Sequence, residues 1–518
     1  MSMNLPYRRS PDQGAAEIHH HPVVVVGAGP VGLALAIDLA LRGRAVVVLD
    51  DKSRIGLGSR AICWAKRTLE IFDRLGVAGA MMDRGVTWNT GKVYHGERVL
   101  YAFDLAPEGD SCFPAFINLQ QDLVEEILVR RAATLDAIDL RWGHRLATLH
   151  QTPDRVTLDI ETEEGQYQIS CDYLVAADGV RSTVRKELGL AFTGQVFEDR
   201  FLIADVKMDA GFTAERRFWF DPPFNRGRSA LIHAQADQVW RIDLQLGRDA
   251  DPELERRPER VLPRLRAMLG PDQPFELVWV SVYGFQCRRL ERFRQGRVLF
   301  AGDAAHQVTP FGARGGNSGI QDSDNLAWKL ALVLEGEAPS RLLDSYDAER
   351  GPAADENLRH STRTTNFLAP HRPAALAARD AVLALAAHHP FARAFINSGR
   401  LSTPYHYTDS PLNTADRDDF TVPGPGAPCA DAPLAAGWLL AKLQGGFQGL
   451  LFAESEPSPE PAPIPILRVS PVGVAARRYD ARPGSFYLIR PDQHIAGRWR
   501  RFERDALSDA LARAKASS

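Results

Sequence analysis

Four consecutive valines, Val23-Val24-Val25-Val26, run directly into Gly27-Ala28-Gly29-Pro30-Val31-Gly32, and few folds accommodate that juncture. A short β-branched apolar run reads as a strand buried on both faces, as in a parallel sheet. The apolar pattern that follows is helical through Leu41 and is closed by Gly43; residues 45–49 then read as a second buried strand ending in Asp50. Strand, turn, helix and strand within about 30 residues make a βαβ unit. At such a turn the first glycine allows the tight bend, the second lets a pyrophosphate approach the backbone, and the third lets helix and strand pack closely. The helix N-terminus adds free amides and the positive end of its dipole. Asp50, about 20 residues on, is placed to accept hydrogen bonds from a ribose. A glycine turn in an unrelated α/β domain would not require that acid. The unit predicts a bound dinucleotide without separating FAD from NAD.

A chain of 518 residues is too long for one ordinary core, so two or three domains are expected. A net charge of -3 and a pI near 6.6 give no basic field for nucleic acid or an anionic membrane. Cys63, Cys112, Cys171, Cys287 and Cys429 are scattered with no CxxC pair, which argues against a zinc or dithiol site and suits a reducing cytoplasm. No metal site is expected. The segment 1–21 is polar, lacks the apolar core of a signal peptide and carries His19-His20-His21; it reads as a disordered leader. No apolar stretch approaches the ~20 residues of a membrane span; the segment 31–41 is broken by Asp38. The expectation is a soluble cytoplasmic protein.

Helical patterns cover 65–75 and 122–135, with alternating strand at 86–103 between them, and a hairpin turning at Glu164-Gly165 precedes the strand 173–176. Residues from about 192 to 288 alternate (Phe218 and Phe220; 239–246; 278–285) around one helix at 259–269, which predicts a mostly antiparallel sheet. A strand at 298–300 and helices at 322–334, 339–363 and 374–386 follow. The stretch 401–423 is rich in Pro, Gly, Asp and Thr and reads as a linker. Beyond it, two strands, a flexible insertion at 454–463, a hairpin at 486–498 and a final helix at 504–515 suggest a separate α/β module.

Two further motifs sharpen the reading. Asp178-Gly179 lies in Cys171-Asp172-Tyr173-Leu174-Val175-Ala176-Ala177-Asp178-Gly179-Val180-Arg181-Ser182, and Gly302-Asp303 lies in Arg297-Val298-Leu299-Phe300-Ala301-Gly302-Asp303-Ala304-Ala305-His306. The latter continues as Pro310-Phe311-Gly312-Ala313-Arg314-Gly315-Gly316-Asn317-Ser318-Gly319-Ile320-Gln321-Asp322. Each follows a strand. With the first glycine turn, and over roughly 22–360, they make the chain resemble the class A flavoprotein aromatic hydroxylases: p-hydroxybenzoate hydroxylase, phenol hydroxylase and the 3-(3-hydroxyphenyl)propionate hydroxylase subgroup.

That resemblance implies a Rossmann-like FAD-binding domain at 22–190 and 289–400, interrupted by a substrate domain at 191–288 with strands from about 86–110, then the linker and a thioredoxin-like module at 424–518. The module's likeness rests on Phe486-Tyr487-Leu488-Ile489-Arg490-Pro491-Asp492-Gln493-His494-Ile495-Ala496; with Cys429 lacking a partner, it reads as a packing or assembly unit. FAD would be held by Gly27, Gly29, Pro30, Gly32, Asp50, Arg60, Gln121, Asp178, Gly302, Asp303, Pro310, Gly315, Gly316 and Asn317. A helix N-terminus at about Gly319 would face the flavin. Arg314 departs from the family spacing, either altering flavin mobility or substrate charge preference or tying down the loop at the surface. His306 reads as a structural hydrogen-bonding residue.

The activity implied is NADH- or NADPH-driven insertion of one atom of O2 into a phenolic small molecule, through a C4a-hydroperoxyflavin that must be shielded from water. Tyr283, by resemblance, and His233, Arg217 and Arg241 are candidates to contact or activate the phenol; Trp219, Phe220, Phe224 and Trp240 would line an aromatic pocket or simply pack. A flavin epoxidase or dehydrogenase of the same fold, and a non-enzymatic FAD-binding protein, are the alternatives. The oligomeric state is open, a homodimer among the options.

Overall fold

The computed structural model describes residues 3–56, 58, 60–105, 110–212, 214–370, 372–396, 403–454 and 462–517. Most of the insertion expected at 454–463 therefore lies outside the described residues, as do 397–400 at the end of the expected FAD domain and 401–402 at the start of the expected linker.

The valine run forms the centre of the first sheet. Strand His19–Val26 lies parallel between Val46–Asp50 and Gly165–Ala176, with Val25 opposite Val48 and Val175. Val298–Phe300 and Ile138–Trp142 extend the sheet on either side. Val23, Val24 and Val25 are wholly buried, each contributing about 1.5–3 kcal/mol of burial free energy. Helix Pro30–Leu41 covers this sheet and meets helix Gly315–Leu334 at Gly319, where a Cβ would stand 2.6 Å from Val31 Cγ2. Only a glycine permits that approach.

The second sheet is mostly antiparallel. Its order runs His306–Gln307, Glu276–Arg289, Thr193–Lys207, Val239–Gln245, Ser229–Ala234, Arg216–Phe220, Thr90–His95, Arg98–Asp104. The last two strands come from the expected stretch 86–110, whereas Val86–Thr87 joins a small sheet with Phe116–Asn118. One face packs Leu202, Ile232, Ile242 and Trp240 against Val261 and Leu265 of helix Pro258–Leu269. The other gathers Phe201, Phe220, Phe285 and Phe311 with Leu368 and Leu383. Among the described residues no helix is long and apolar enough to cross a membrane.

Two expectations are corrected here. The segment before the valine run is ordered where described: Leu5 is buried, and Asp12 accepts from His19 (2.6 Å) and His21 (2.9 Å) and pairs with buried Arg141 at 2.7 Å. A buried guanidinium requires a counter-charge, and the polar leader supplies it. The described part of the linker is likewise packed, with Tyr407 and Leu412 buried.

The C-terminal unit has the order strand, strand, hairpin, helix: Gln448–Phe452, Ile466–Val469, Phe486–Ile489, Ile495–Trp499 and helix Arg504–Ala514. The first two strands pair in parallel, and the remaining pairings are antiparallel. Its turn at 490–494 plugs into the first domain. Arg490 pairs with Glu349 (2.5 and 2.9 Å) and with Asp492, Glu349 also pairs with Lys329 at 2.7 Å, and Arg67 donates to the Asp492 carbonyl at 2.6 Å.

Candidate functional site: a nucleotide crevice facing a sheet

The glycine turn has the geometry its chemistry needs. Gly27 sits at φ +107°, where a Cβ would meet Ala177 O at 2.4 Å, and a Cβ on Gly32 would meet Gly27 O at 2.0 Å. Gly29 has no atom within 4 Å of its Cβ position, so the space a pyrophosphate would enter is clear. Gly29 caps helix Pro30–Leu41 without a side-chain hydrogen bond, with Pro30 at the first turn. Its N-terminal amides thus have no capping side chain, as an anion site requires. Asp50 is held by Ala28 N–H (2.8 Å) and Lys52 N–H (3.0 Å), each using one lone pair per carboxylate oxygen. Burial pushes its pKa up.

Asp178 accepts from Val184 N–H at 3.1 Å, while its other oxygen is buried without a protein partner. Burial raises its pKa. Such an orphaned acceptor fits a group that arrives with the cofactor. Gln121 opens helix Gln121–Ala132, accepts from Ala61 N–H (3.1 Å) and donates to Glu125 (2.7 Å), which fastens the segment carrying Arg60. Asp303 faces the crevice with an exposed side chain; the enclosing protein raises its carboxyl, while His306 and Arg60 oppose the rise.

The floor of the crevice is held by a hub that the sequence reading did not single out. Asp322 accepts from Gly302 N–H (2.9 Å) and His306 Nε2 (2.6 Å) with one oxygen and from Arg350 Nε (2.6 Å) with the other. Burial works against the ionised form, but His306 and Arg350 outweigh it and hold the Asp322 pKa low. His306 is thereby a structural residue, as expected. Arg350 continues to Tyr407 (3.1 Å), whose ring stacks on His494 of the C-terminal unit at 4.6 Å.

The loop 310–317 turns through left-handed Gly312 (φ 92°) and Ala313 (φ 53°). Helix Gly315–Leu334 starts four residues earlier than expected, at Gly315. Asn317 uses its side chain on the protein: it accepts from Ala65 N–H and Thr68 Oγ1 and donates to the Cys63 and Ala313 carbonyls. It clasps the loop, and its amide side chain has no hydrogen left for a flavin. Arg314 is buried and donates to Asn357 at 3.4 Å, so it is not the surface tie considered from sequence.

Opposite this loop lies the aromatic face of the second sheet. Phe311 touches it, with ring centroids 5.1 Å from Phe201 and 5.4 Å from Phe285. Tyr283, opposite Phe201 in the register, is half-buried on this face. His233 and Arg241 are cross-strand partners here, and Arg241 is tied to Asp243 (3.0 Å) and to the Arg60 carbonyl (3.0 Å). Arg217 is a correction: Phe218 and Phe220 face the loop, so Arg217 points the other way. It bonds Glu215 at 2.6 Å and covers Phe212 at 3.8 Å. Trp219, Phe224 and Trp240 belong to that far core too, and of the four aromatics only Phe220 is on the loop side. The residue missed is Arg216, which shares the parity of Phe218 and Phe220; that alternation was the available signal.

A Rossmann-type nucleotide crevice facing an antiparallel sheet defines a dinucleotide-binding protein. Residues 20–361 match the FAD binding domain family, and the chain belongs to it. The 6-methylpretetramide 4-monooxygenase of Streptomyces rimosus is 34% identical over 512 residues, 92% of this chain and 91% of that protein. A 3-(3-hydroxy-phenyl)propionate/3-hydroxycinnamic acid hydroxylase of Mycolicibacterium gilvum is 30% identical over 374 residues, 72% of this chain and 65% of that protein. Among solved structures, the OxyS anhydrotetracycline hydroxylase of Streptomyces rimosus superposes with a TM-score of 0.72 at 28% identity, covering 95% of this chain and 99% of that one. The flavin-dependent monooxygenase PieE, in complex with FAD and substrate, shares the fold, with a TM-score of 0.80 at 22% identity over 97% of this chain and 100% of that one. The chain is an FAD-dependent enzyme of the monooxygenase class.

Proposed function

We propose that the protein uses NADH or NADPH and O2 to hydroxylate a phenolic aromatic compound held between the loop 310–317 and the aromatic face of the second sheet. One observation carries this reading: Phe311, in the loop at the cofactor floor, packs on Phe201 and Phe285 of the same sheet face that bears Tyr283, His233 and Arg241. The two curated relatives carry names that specify aromatic substrates, which supports the same reading.

When bound, FAD supplies the transfer of electrons from the nicotinamide to oxygen. The chain supplies binding, shielding and orientation. The glycine turn and the amides of Gly29 and Val31 would hold the pyrophosphate, Asp50 the ribose, Asp178 and Asp303 the hydroxyl-bearing middle of the cofactor, and the backbone at Pro310, Gly315 and Gly316 its ring. The packing of Phe201, Phe285 and Phe311 excludes water from one end of the space. A positive group beside the substrate oxygen favours the electron-rich ionised ring. The domain limits that go with this reading are the FAD domain at 22–190 and 289–400, the substrate domain at 191–288 with the strands at 90–104, and a C-terminal thioredoxin-like module that serves in packing. Cys429, its lone cysteine, is buried, and burial raises its thiol pKa.

The test is a visible spectrum of the purified protein, then NADH and NADPH oxidation against phenols, phenylpropionates and polycyclic phenols with product analysis. Oxidation stimulated by one phenol, with an atom of O2 in the product, is the expected result. A flavoprotein that no nicotinamide reduces under any of these ligands would refute it.

A further inference from the structure

Three adjacent strands set a row of polar side chains across the loop-facing side of the second sheet. Ile232 lies opposite both Arg217 and Ile242, and His233 lies opposite Arg241. Arg216, one residue before Arg217, therefore stands beside His233, and Arg241 stands beyond it, with Asp205 and then Trp279 continuing the row. Cross-strand neighbours of this kind hold their Cβ atoms about 5 Å apart.

Most of the polar groups around this row are engaged. Arg241 is held by Asp243 and by the Arg60 carbonyl. Asp205 accepts from Gln235 at 3.0 Å. The Cys63 thiol and the Trp88 indole both donate to Asn118 Oδ1, at 3.1 and 2.9 Å. Arg216 and His233 are the exceptions. The Arg216 side chain lies within electrostatic reach of Asp243, beside the neutral Cys63 thiol, but makes no hydrogen bond or ion pair among the described residues. His233 is 4% exposed, and its Nδ1 is buried without a partner. The buried, unpartnered imidazole nitrogen is costly unless a ligand completes it, and the half-buried Arg216 guanidinium beside it has its donors free for the same ligand. Burial and the two neighbouring arginines hold His233 well below its ordinary pKa, so the ring is neutral and keeps one N–H and one acceptor. Asn317 links Cys63, at this end of the crevice, to the flavin loop at 2.9 Å.

We infer that Arg216 and His233 form a subsite for an acidic oxygen of the substrate (phenolate, enolate or carboxylate), Arg216 donating to the anion and His233 completing its hydrogen bonding. The inference rests on the aromatic-hydroxylase reading above and adds the charge of the substrate to it. It also makes Arg216 the residue that selects ionised over neutral rings.

The experiment uses the holoenzyme without nicotinamide, titrated with 4-nitrophenol above its pKa, 3-phenylpropionate and the neutral ether 4-nitroanisole, read by flavin difference spectra. At least one anionic probe is expected to bind about tenfold or more tighter than the ether, the scale of one charge-assisted hydrogen bond. Arg216→Gln should erase that preference while leaving the ether's affinity within about twofold, Arg216→Lys should restore part of it, and His233→Gln should weaken the preferred anion alone. Preference for 4-nitrophenol marks a phenolate or enolate subsite, and preference for 3-phenylpropionate a carboxylate one. An unchanged preference in Arg216→Gln overturns the inference, as does failure of both anions to bind. Hydroxylation with no anion preference would remove the subsite alone; anion binding without oxygen insertion would remove the hydroxylase reading alone.

Discussion

Replacing Asp322 by asparagine tests whether the buried hub at the crevice floor is what holds Gly302 in place. In the native protein Asp322 compensates Arg350 directly, and the other partners of that guanidinium, the Tyr407 hydroxyl and the carbonyl and hydroxyl of Ser318, are neutral. Asp322 and Arg350 are both essentially inaccessible to water. The replacement side chain would offer one acceptor oxygen to three donors and turn an N–H2 group toward at least one of them. The loss is that of one partner from a buried ion pair, about 3–5 kcal/mol, against a total stability on the order of 5–15 kcal/mol for a domain. Urea unfolding of the apoprotein, followed by intrinsic fluorescence, measures it. FAD affinity should fall about tenfold or more as well, because the Gly302 amide loses its anchor. The double variant Asp322→Asn with Arg350→Met should recover much of the stability, since no charge is then stranded. A cost under about 1 kcal/mol for Asp322→Asn, or strict additivity in the double variant, would refute the reasoning.

The two glycines of the nucleotide turn should separate folding from binding: Gly32→Ala collides with Gly27 O and should yield unstable, flavin-free protein, whereas Gly29→Ala meets only open space and should unfold like the wild type while binding FAD about tenfold or more weakly. Absorbance ratios and urea midpoints of the purified variants distinguish the two outcomes. Arg217→Ala, on the far face of the sheet, should change substrate affinity less than about twofold and stability by less than about 1 kcal/mol, because its partner Glu215 keeps Lys92 at 2.7 Å. A large rise in substrate KM would return Arg217 to the site. Acid sensitivity should report the docking of the C-terminal turn: burial opposes ionisation of Glu349, but Arg490 and Lys329 outweigh it and hold its pKa far below the ordinary 4.5. With the folded pKa depressed, the stability it contributes is complete above about pH 4.5 and is lost as pH falls further. Urea midpoints should decline below that pH in the wild type and less steeply in Glu349→Gln; parallel curves would count against this.

The nucleotide turn was legible because its chemistry is local. The valine strand, the spacing of Gly27, Gly29 and Gly32 and the acid at Asp50 lie within about 30 residues, and the strand and the glycines take the positions their types and spacing imply. The alternating pattern of 192–288 likewise disclosed an antiparallel sheet, since period-two burial is a property of a strand by itself. What no local pattern could disclose is which partners distant segments find. The polar leader became ordered because Asp12 meets Arg141, and Asp322 became a hub because Gly302, His306 and Arg350 converge on it from three elements. The Asn317 side chain clasps the chain at Cys63 and Thr68, partners that no local spacing announces. Alternation shows that Arg216 and Arg217 face opposite ways, but only the pairing of their strand with its neighbours determines which of them shares the face of Phe218 and Phe220. In a sheet a shift of one residue exchanges every side chain between faces, so the choice belongs to the register, which tertiary packing sets.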